Sequence, residues 1–176
     1  EHRFDADGSE SKVVDTVNWR LPFHLLSGWT ARLTVMPRIR SMFRFRSDRV
    51  RGDLKRIQET VDLPRRRVLV TGSTGLIGTQ LCAFLFAAGH DVVRLLRKET
   101  VLPKHLASSE VVRWDDQTGE VLEGSFEGFD AVIHLAGAGI GDKRWSKARK
   151  ALIQNSRTGP TRRLAEALAS AKDRPE

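Results

Sequence analysis

The period of the apolar positions changes once along this chain, near the stretch VDLPRRR at residues 61–67. Upstream, SKVVDTVNWRLPF reads as a strand. Val14, Thr16 and Asn18 alternate with Val13, Asp15, Val17 and Trp19, and the run ends before Pro22. A helix is expected from about Pro37, a residue whose fixed φ suits a first helical turn. Its apolar positions Ile39, Phe43, Val50, Leu54 and Ile57 recur at three-, four- and seven-residue steps and so share one stripe. Gly52 weakens that helix locally, by about 1 kcal/mol relative to Ala. A strand or two and one helix cannot enclose a core alone, so this segment needs partners outside itself.

Downstream, strands and helices alternate. RRVLVTG reads as a buried strand, and LIGTQLCAFLFAA, residues 76–88, as an apolar helix closed by Gly89. HDVVRLLR and SEVVRW are the second and third strands. DAVIHLAG, residues 130–137, is the fourth, apolar throughout as a fully covered parallel strand should be. A helix, or a pair nearly in line, runs from about Trp145 to Ala171, with Pro160 placed to kink it. Pro64 stops the preceding helix and Arg65 to Arg67 lead into the first of these strands, which divides the chain into residues 1–63 and 64–176. The later pattern implies right-handed crossovers and an α/β, doubly wound parallel sheet of which four strands are present.

Composition narrows the setting. The chain has 176 residues, enough for one ordinary domain or two small or incomplete ones. Apolar residues make up 40% and charged residues 30%, the balance of a soluble globular protein. No run approaches the ~18 apolar residues of a membrane span. The N-terminus EHRFDADGSE carries neither an apolar signal core nor an initiating Met, which points to a chain cut from a longer one. Cys82 is the only cysteine, so no internal disulfide forms, in keeping with a reducing cytoplasm. Its apolar surroundings make it a core thiol rather than a nucleophile. Net charge is +8, and residues 31–56 hold nine Arg or Lys against Asp48 and Asp53. No nucleic-acid motif accompanies that charge, so a solvated basic helix face is favoured over nucleic-acid binding.

The chemistry concentrates in VLVTGSTGLIG, residues 68–78. The loop follows a buried strand and opens a helix. Gly72 can make the tight turn, Gly75 can let backbone approach a pyrophosphate, and Gly78 can let the helix pack close to the sheet. Free N–H groups and the positive end of the helix dipole then face the anion, with hydroxyls from Thr71, Ser73 and Thr74. Gly72, Ser73, Thr74, Gly75, Leu76, Ile77 and Gly78 are therefore the cofactor-binding candidates here. The bland alternative is a glycine-rich turn with no ligand. About 20 residues on, where an acid would hold the ribose of NAD, stands Leu96, followed by Arg97 and Lys98. A guanidinium there can grip a 2′-phosphate, which argues for NADP over NAD. The alternative is that Arg97 and Lys98 are simply solvated at a strand end.

Together these residues resemble the extended short-chain dehydrogenase/reductase family: TGSTGLIG looks like its cofactor loop, and HLAG at 134–137 like its fourth-strand segment. RWDDQTGEV, HLAGAGIGDKRWSKARK and NSRTGPTRRLAEAL are similar to an epimerase-like branch often labelled nucleoside-diphosphate-sugar epimerase. The resemblance covers about residues 66 to 172. It implies a Rossmann fold, with Asp115 or its neighbour meeting the adenine and Leu135, Ala136 and Gly137 passing along the ribose and phosphate. Trp114 is equally a core or rim aromatic, and His134 a packed strand histidine. Arg144 and Trp145 either border the substrate pocket or cap the long helix. Residues 1–60 resemble the closing strand and long C-terminal helix of a START-like, polyketide-cyclase-type helix-grip domain, an α+β segment of which only part is present.

The family's chemistry uses a Tyr-x-x-x-Lys pair, with the Tyr as acid/base. This chain has no tyrosine. The expectation is the cofactor-binding half of an NADP-dependent oxidoreductase or epimerase-like enzyme acting on an unidentified small molecule, with the remainder of a longer chain as its partner. The alternatives are a non-catalytic NADP sensor and a carrier of apolar ligands through the helix-grip portion.

Overall fold

The computed structural model describes residues 2–8, 10–18 and 24–175. The chain divides into two compact units, Glu1–Gly52 and Asp53–Glu176. The first holds an antiparallel hairpin, β1 (His2–Asp7) with β2 (Glu10–Asp15), in which His2 pairs with Asp15 and Asp7 with Glu10. Gly8, at φ 63°, makes the turn. Sequence reading placed one strand here, and two form. β1 went unseen because HRFDAD offers few apolar positions. The expected strand also stops early. Thr16 to Asn18 lie outside regular structure, and Trp19 to Phe23 lie outside the described residues.

α1 spans His24–Glu59, so it begins well before Pro37, which sits inside it. The proline forfeits one intrahelical hydrogen bond. The helix nevertheless continues through it into the long Arg-rich run that follows. Arg46 reaches Asp15 at 2.9 Å and ties helix to hairpin. Of the anticipated stripe, Ile39, Phe43 and Ile57 are half-buried, while Val50 and Leu54 are exposed. Among the residues of the first unit whose side chains are described, none is buried.

The second unit is a five-stranded sheet with helices on both faces. Its strands are β3 (Arg67–Thr71), β4 (Asp91–Arg97), β5 (Val111–Trp114), β6 (Val121–Glu123) and β7 (Ala131–His134), in the order β6-β5-β4-β3-β7. β3, β4, β5 and β7 are parallel. These are the four strands read from the sequence. The fifth, β6, is an addition: it folds back antiparallel on β5 through the turn at Asp115–Gly119, where the Gly119 N–H donates to Asp115 O at 2.8 Å. Its three residues are too few to carry a period.

Strand alternation sorts the core into two layers. Leu69, Val93, Leu95, Val112 and Trp114 face α3 (Lys147–Ala169), meeting Leu164 with Phe126 and Phe129. Trp114 and Phe126 pack edge to face, 6.3 Å between centroids. Val68 and Val70 face α2 (Leu76–Ala87) and its buried Cys82. α2 ends as expected at Gly89, φ 85°. The His90 N–H donates to Leu85 O and the Gly89 N–H to Phe86 O, each at 3.0 Å, a complete Schellman motif. β7 differs from expectation: it is half-buried along its whole length, because among the described residues it pairs on one side only. Ser146 caps α3 by accepting from the Arg149 N–H at 3.1 Å, and the helix continues through the buried Pro160.

Leu69 is wholly enclosed between β4, β7 and α3. Leu69→Ala should therefore lower unfolding free energy by about 2–5 kcal/mol, read as a lower denaturant midpoint with unchanged slope.

Candidate functional site

Strand order reverses at β3, with β4 on one side and β7 on the other, so the chain leaves the two neighbouring strand ends in opposite directions and opens a crevice. A cleft of about 660 Å³ lies there. It is lined by residues 71–75, by 95–97 at the end of β4, by Trp114, Asp116 and Gln117, by 135–138 after β7, and by Leu152, Asn155, Ser156, Pro160 and Arg163 of α3.

The glycines have separable duties. Gly72 adopts φ 63°, and a Cβ there would lie 2.8 Å from the Leu135 carbonyl carbon and 2.9 Å from the Ala136 nitrogen. It makes the tight turn and lets β3 and β7 converge. At Gly78 a Cβ would lie 2.2 Å from Gly72 O. At this point the helix start packs on the loop's own backbone. Gly75 is the N-cap of α2 with no side-chain cap, and no acid occupies the first turn. The Thr79 N–H donates to Gly75 O at 2.9 Å, which leaves the N–H groups of Leu76, Ile77 and Gly78 without intrahelical partners. The side chains of Leu76 and Ile77 are exposed outside the cleft, so these residues can contribute only backbone.

The three hydroxyls also separate. Thr71 Oγ1 accepts from Leu135 N at 3.0 Å and Ala136 N at 3.1 Å. Its own proton then goes to His134 Nδ1 at 2.8 Å, which fixes the neutral Nε2–H tautomer. Thr71 is thus a strand clamp and has no hydroxyl to spare for an anion. Ser73 is fully buried, and its Oγ has no partner among the described residues. Thr74 lies exposed on the cleft wall. Orphaned N–H groups, one orphaned buried hydroxyl and a helix N-terminus without acids suit an anionic group such as a diphosphate.

Of the two cations read at the end of β4, Arg97 lines the cleft and Lys98 does not. Lys98 Nζ is bonded to Asp115 Oδ2 at 2.8 Å, which raises the lysine pKa and lowers that of the carboxyl. Asp115 also accepts the Gln117 N–H at 2.8 Å and builds the β5–β6 turn. It is the neighbour, Asp116, that faces the cleft, 4.0 Å from Arg97 Nη1. Arg97 is 68% exposed at its side chain. Leu96, where an acid would hold a ribose, is buried.

After β7, Leu135, Ala136 and Gly137 all line the cleft. Ser156 and Arg157 of α3 grip the next peptide: the Ala138 N–H donates to Ser156 Oγ at 3.0 Å, and Arg157 Nη1 to Ala138 O at 3.2 Å. Arg144 and Trp145 lie outside the cleft. Trp145 Nε1 donates to Ile140 O at 2.9 Å and braces the loop. Sequence reading missed Arg163, which lines the cleft and donates to Asp116 O at 2.7 Å. It also missed Arg94, which donates to Ser73 O at 2.9 Å. A charge inside the apolar run VVRLL was the available signal for Arg94.

A glycine loop opening a helix at the switch point of a parallel sheet defines a nucleotide-binding α/β unit. A family model, the NAD dependent epimerase/dehydratase family, matches residues 68–174, and the chain belongs to that family. Epimerase family protein Mb2239 of Mycobacterium bovis is 39% identical over 104 residues, 59% of this chain and 33% of its own length. The nucleoside-diphosphate sugar epimerase from Corynebacterium glutamicum aligns over 98% of this chain and 32% of its own, at 29% identity and TM-score 0.58. Human epimerase family protein SDR39U1, crystallised with NADPH, aligns over 62% and 34% respectively, at 32% identity and TM-score 0.48. The chain spans about a third of the length of the curated relatives it matches.

Burial holds the His134 imidazole below its ordinary range. Just under the ordinary value of about 6.5, the unfolded chain binds a proton that the folded site does not, so stability falls as pH drops through that window. His134→Asn, whose Oδ1 can accept the Thr71 proton without titrating, should lose less melting temperature than wild type between about pH 7 and about pH 5. Parallel declines would remove His134 from the balance.

Proposed function

We propose that residues 64–176 form the NADP-binding part of an oxidoreductase or epimerase-like enzyme, whose acid/base residues come from elsewhere in a longer protein. The observation that carries this reading is the joint geometry of the β3–α2 loop and Arg97 on one cleft. The loop offers unpaired N–H groups to a diphosphate. Arg97 offers a guanidinium at the strand end where NAD-selective sites place a carboxylate. Asp116 at 4.0 Å leaves most of the guanidinium's donors free for a 2′-phosphate. NAD fits this end of the cleft less well, because the buried Leu96 gives its ribose hydroxyls no acceptor.

The bound nicotinamide would supply hydride transfer, and the chain's own part is binding and orientation. The substrate is a small molecule, for which a nucleotide sugar is the candidate by analogy with the C. glutamicum enzyme. Residues 1–63 we read as part of a START-like helix-grip domain. In support, a hairpin leads into a 36-residue helix, and the likeness to the C. glutamicum structure extends over nearly the whole chain. No helix among the described residues is long and apolar enough to cross a membrane, and the free buried Cys82 suits a reducing cytoplasm.

Calorimetric titration of the full-length protein with NADPH and NADH tests the cofactor. NADPH should bind more tightly, and Arg97→Glu should erase that preference, a change of roughly tenfold to a hundredfold from losing charge-assisted bonds. An unchanged preference would sink the role of Arg97. If neither dinucleotide binds below about millimolar, the whole reading fails.

A further inference from the structure

On β4 the positions facing α2 are Val92, Arg94 and Leu96, set against the apolar layer of Val68, Val70 and Cys82. Arg94 is therefore a charge placed where the pattern wants an aliphatic side chain. It is only 7% exposed. Nη1 donates to Ser73 O at 2.9 Å and Nε to Ser109 Oγ at 3.3 Å, with the Cys82 thiol beside it. Every one of these partners is neutral. No carboxylate among the described residues lies within 4.0 Å of the guanidinium, although the neighbouring strand-end arginines all have one: Arg67 pairs with Glu110, Arg97 with Asp116 and Arg113 with Glu123. A buried cation without a counter-charge is unfavourable unless something outside the folded chain balances it.

We propose that Arg94 is a positioning residue of the phosphate loop and that the diphosphate of the bound cofactor is its missing counter-charge. The proposal rests on the dinucleotide reading above. In a trans peptide the C=O and the following N–H point in opposite directions. Arg94 holds the Ser73 carbonyl down into the core, so the Thr74 N–H is turned outward, away from the core. Thr74 lines the cleft. The same contact immobilises the loop between Gly72, whose carbonyl Gly78 packs upon, and Gly75, the helix cap. The unpartnered, fully buried Ser73 Oγ belongs to the same residue, so the anchored peptide carries an unused donor as well. Arg94 and Arg97 thus lie three positions apart on one strand and address different ends of one ligand: Arg94 the diphosphate, through the loop, and Arg97 the 2′-phosphate, directly.

This division of labour makes the test selective. In the full-length protein, affinities for NADPH and for adenosine 2′-phosphate, which lacks the diphosphate, are compared in wild type, Arg94→Met and Arg94→Lys. Met keeps the bulk and removes both charge and donor. The expected result is about tenfold or more weaker NADPH binding in Arg94→Met, an unchanged affinity for adenosine 2′-phosphate, and partial recovery of NADPH binding in Arg94→Lys. The melting temperature of Arg94→Met without ligand should equal or exceed that of wild type, because an uncompensated buried charge has been removed. The shift induced by NADPH should shrink. A purely architectural arginine would instead lower the ligand-free melting temperature and leave the ratio of the two affinities as it was, and that result overturns the proposal. Should Arg94→Met fail to fold, Arg94→Lys and Arg94→Gln are compared by the same ratio. Wild type that binds no NADPH at all refutes the dinucleotide reading itself; wild type that binds while the ratio stays fixed across the variants refutes Arg94 alone.

Discussion

Backbone meets backbone at Gly72 with no side chain between, and the cleft exists because of that contact. The turn after β3 lies against the peptide joining Leu135 to Ala136, and its carbonyl lies against Gly78. Any Cβ at Gly72 or Gly78 would force the loop away from the strand end or the helix away from the loop. Convergence creates a second demand. The β3–β7 ladder ends at His134, and the next two N–H groups have no strand to donate to. One hydroxyl, that of Thr71, accepts from both and passes its own proton to His134. Glycine geometry and hydroxyl bookkeeping are thus one constraint: the strand ends can approach only if the polar groups they strand are satisfied in the space that remains.

The same constraint explains why the helix terminus stays open. α2 begins at a glycine with no side chain to cap it, and no acid stands in its first turn. Two other ends in the second unit are closed by side chains. Ser146 closes the start of α3, and Glu127 accepts the N–H groups of Lys172 and Asp173, contacts that hold its carboxyl below the usual range. The bare N-terminus of α2 differs in lying against a polar cleft, where its unpaired donors suit an anionic ligand.

Much of this was legible in the sequence, and the reasons differ by element. The glycine loop, the four parallel strands and the stop at Gly89 are set by local chemistry: period, β-branched runs, and positive φ that only glycine adopts easily. The start of α1 was misplaced because Pro37 reads locally as a beginning, whereas here it lies inside a longer helix. β6 is a three-residue strand that exists only through its partner, and β1 alternates over six residues with only Phe4 and Ala6 apolar, too weak a signal to stand out. At the site, the roles of Arg97 and Lys98 could not be told apart by spacing. Only the position of Asp115, across a parallel strand pair, shows that Lys98 is already engaged.

β4 shows why one residue type can serve two purposes three positions apart. Arg97 is solvated and loosely paired, so its guanidinium can rearrange around whatever reaches the strand end. Weak pairing in high dielectric makes it responsive to the ligand's charge and replaceable without harm to the fold. Arg94 is enclosed, its donors committed to one carbonyl and one hydroxyl, so it cannot adapt and can only fix what it holds. In low dielectric its charge is felt strongly but is aimed in one direction. On the proposed reading, discrimination between dinucleotides would belong with the exposed arginine, and the shape of the diphosphate cradle with the buried one. On that reading, because the first is free to change while the second is locked into the core, selectivity at this cleft would drift between NADP and NAD without disturbing the loop that meets what the two have in common.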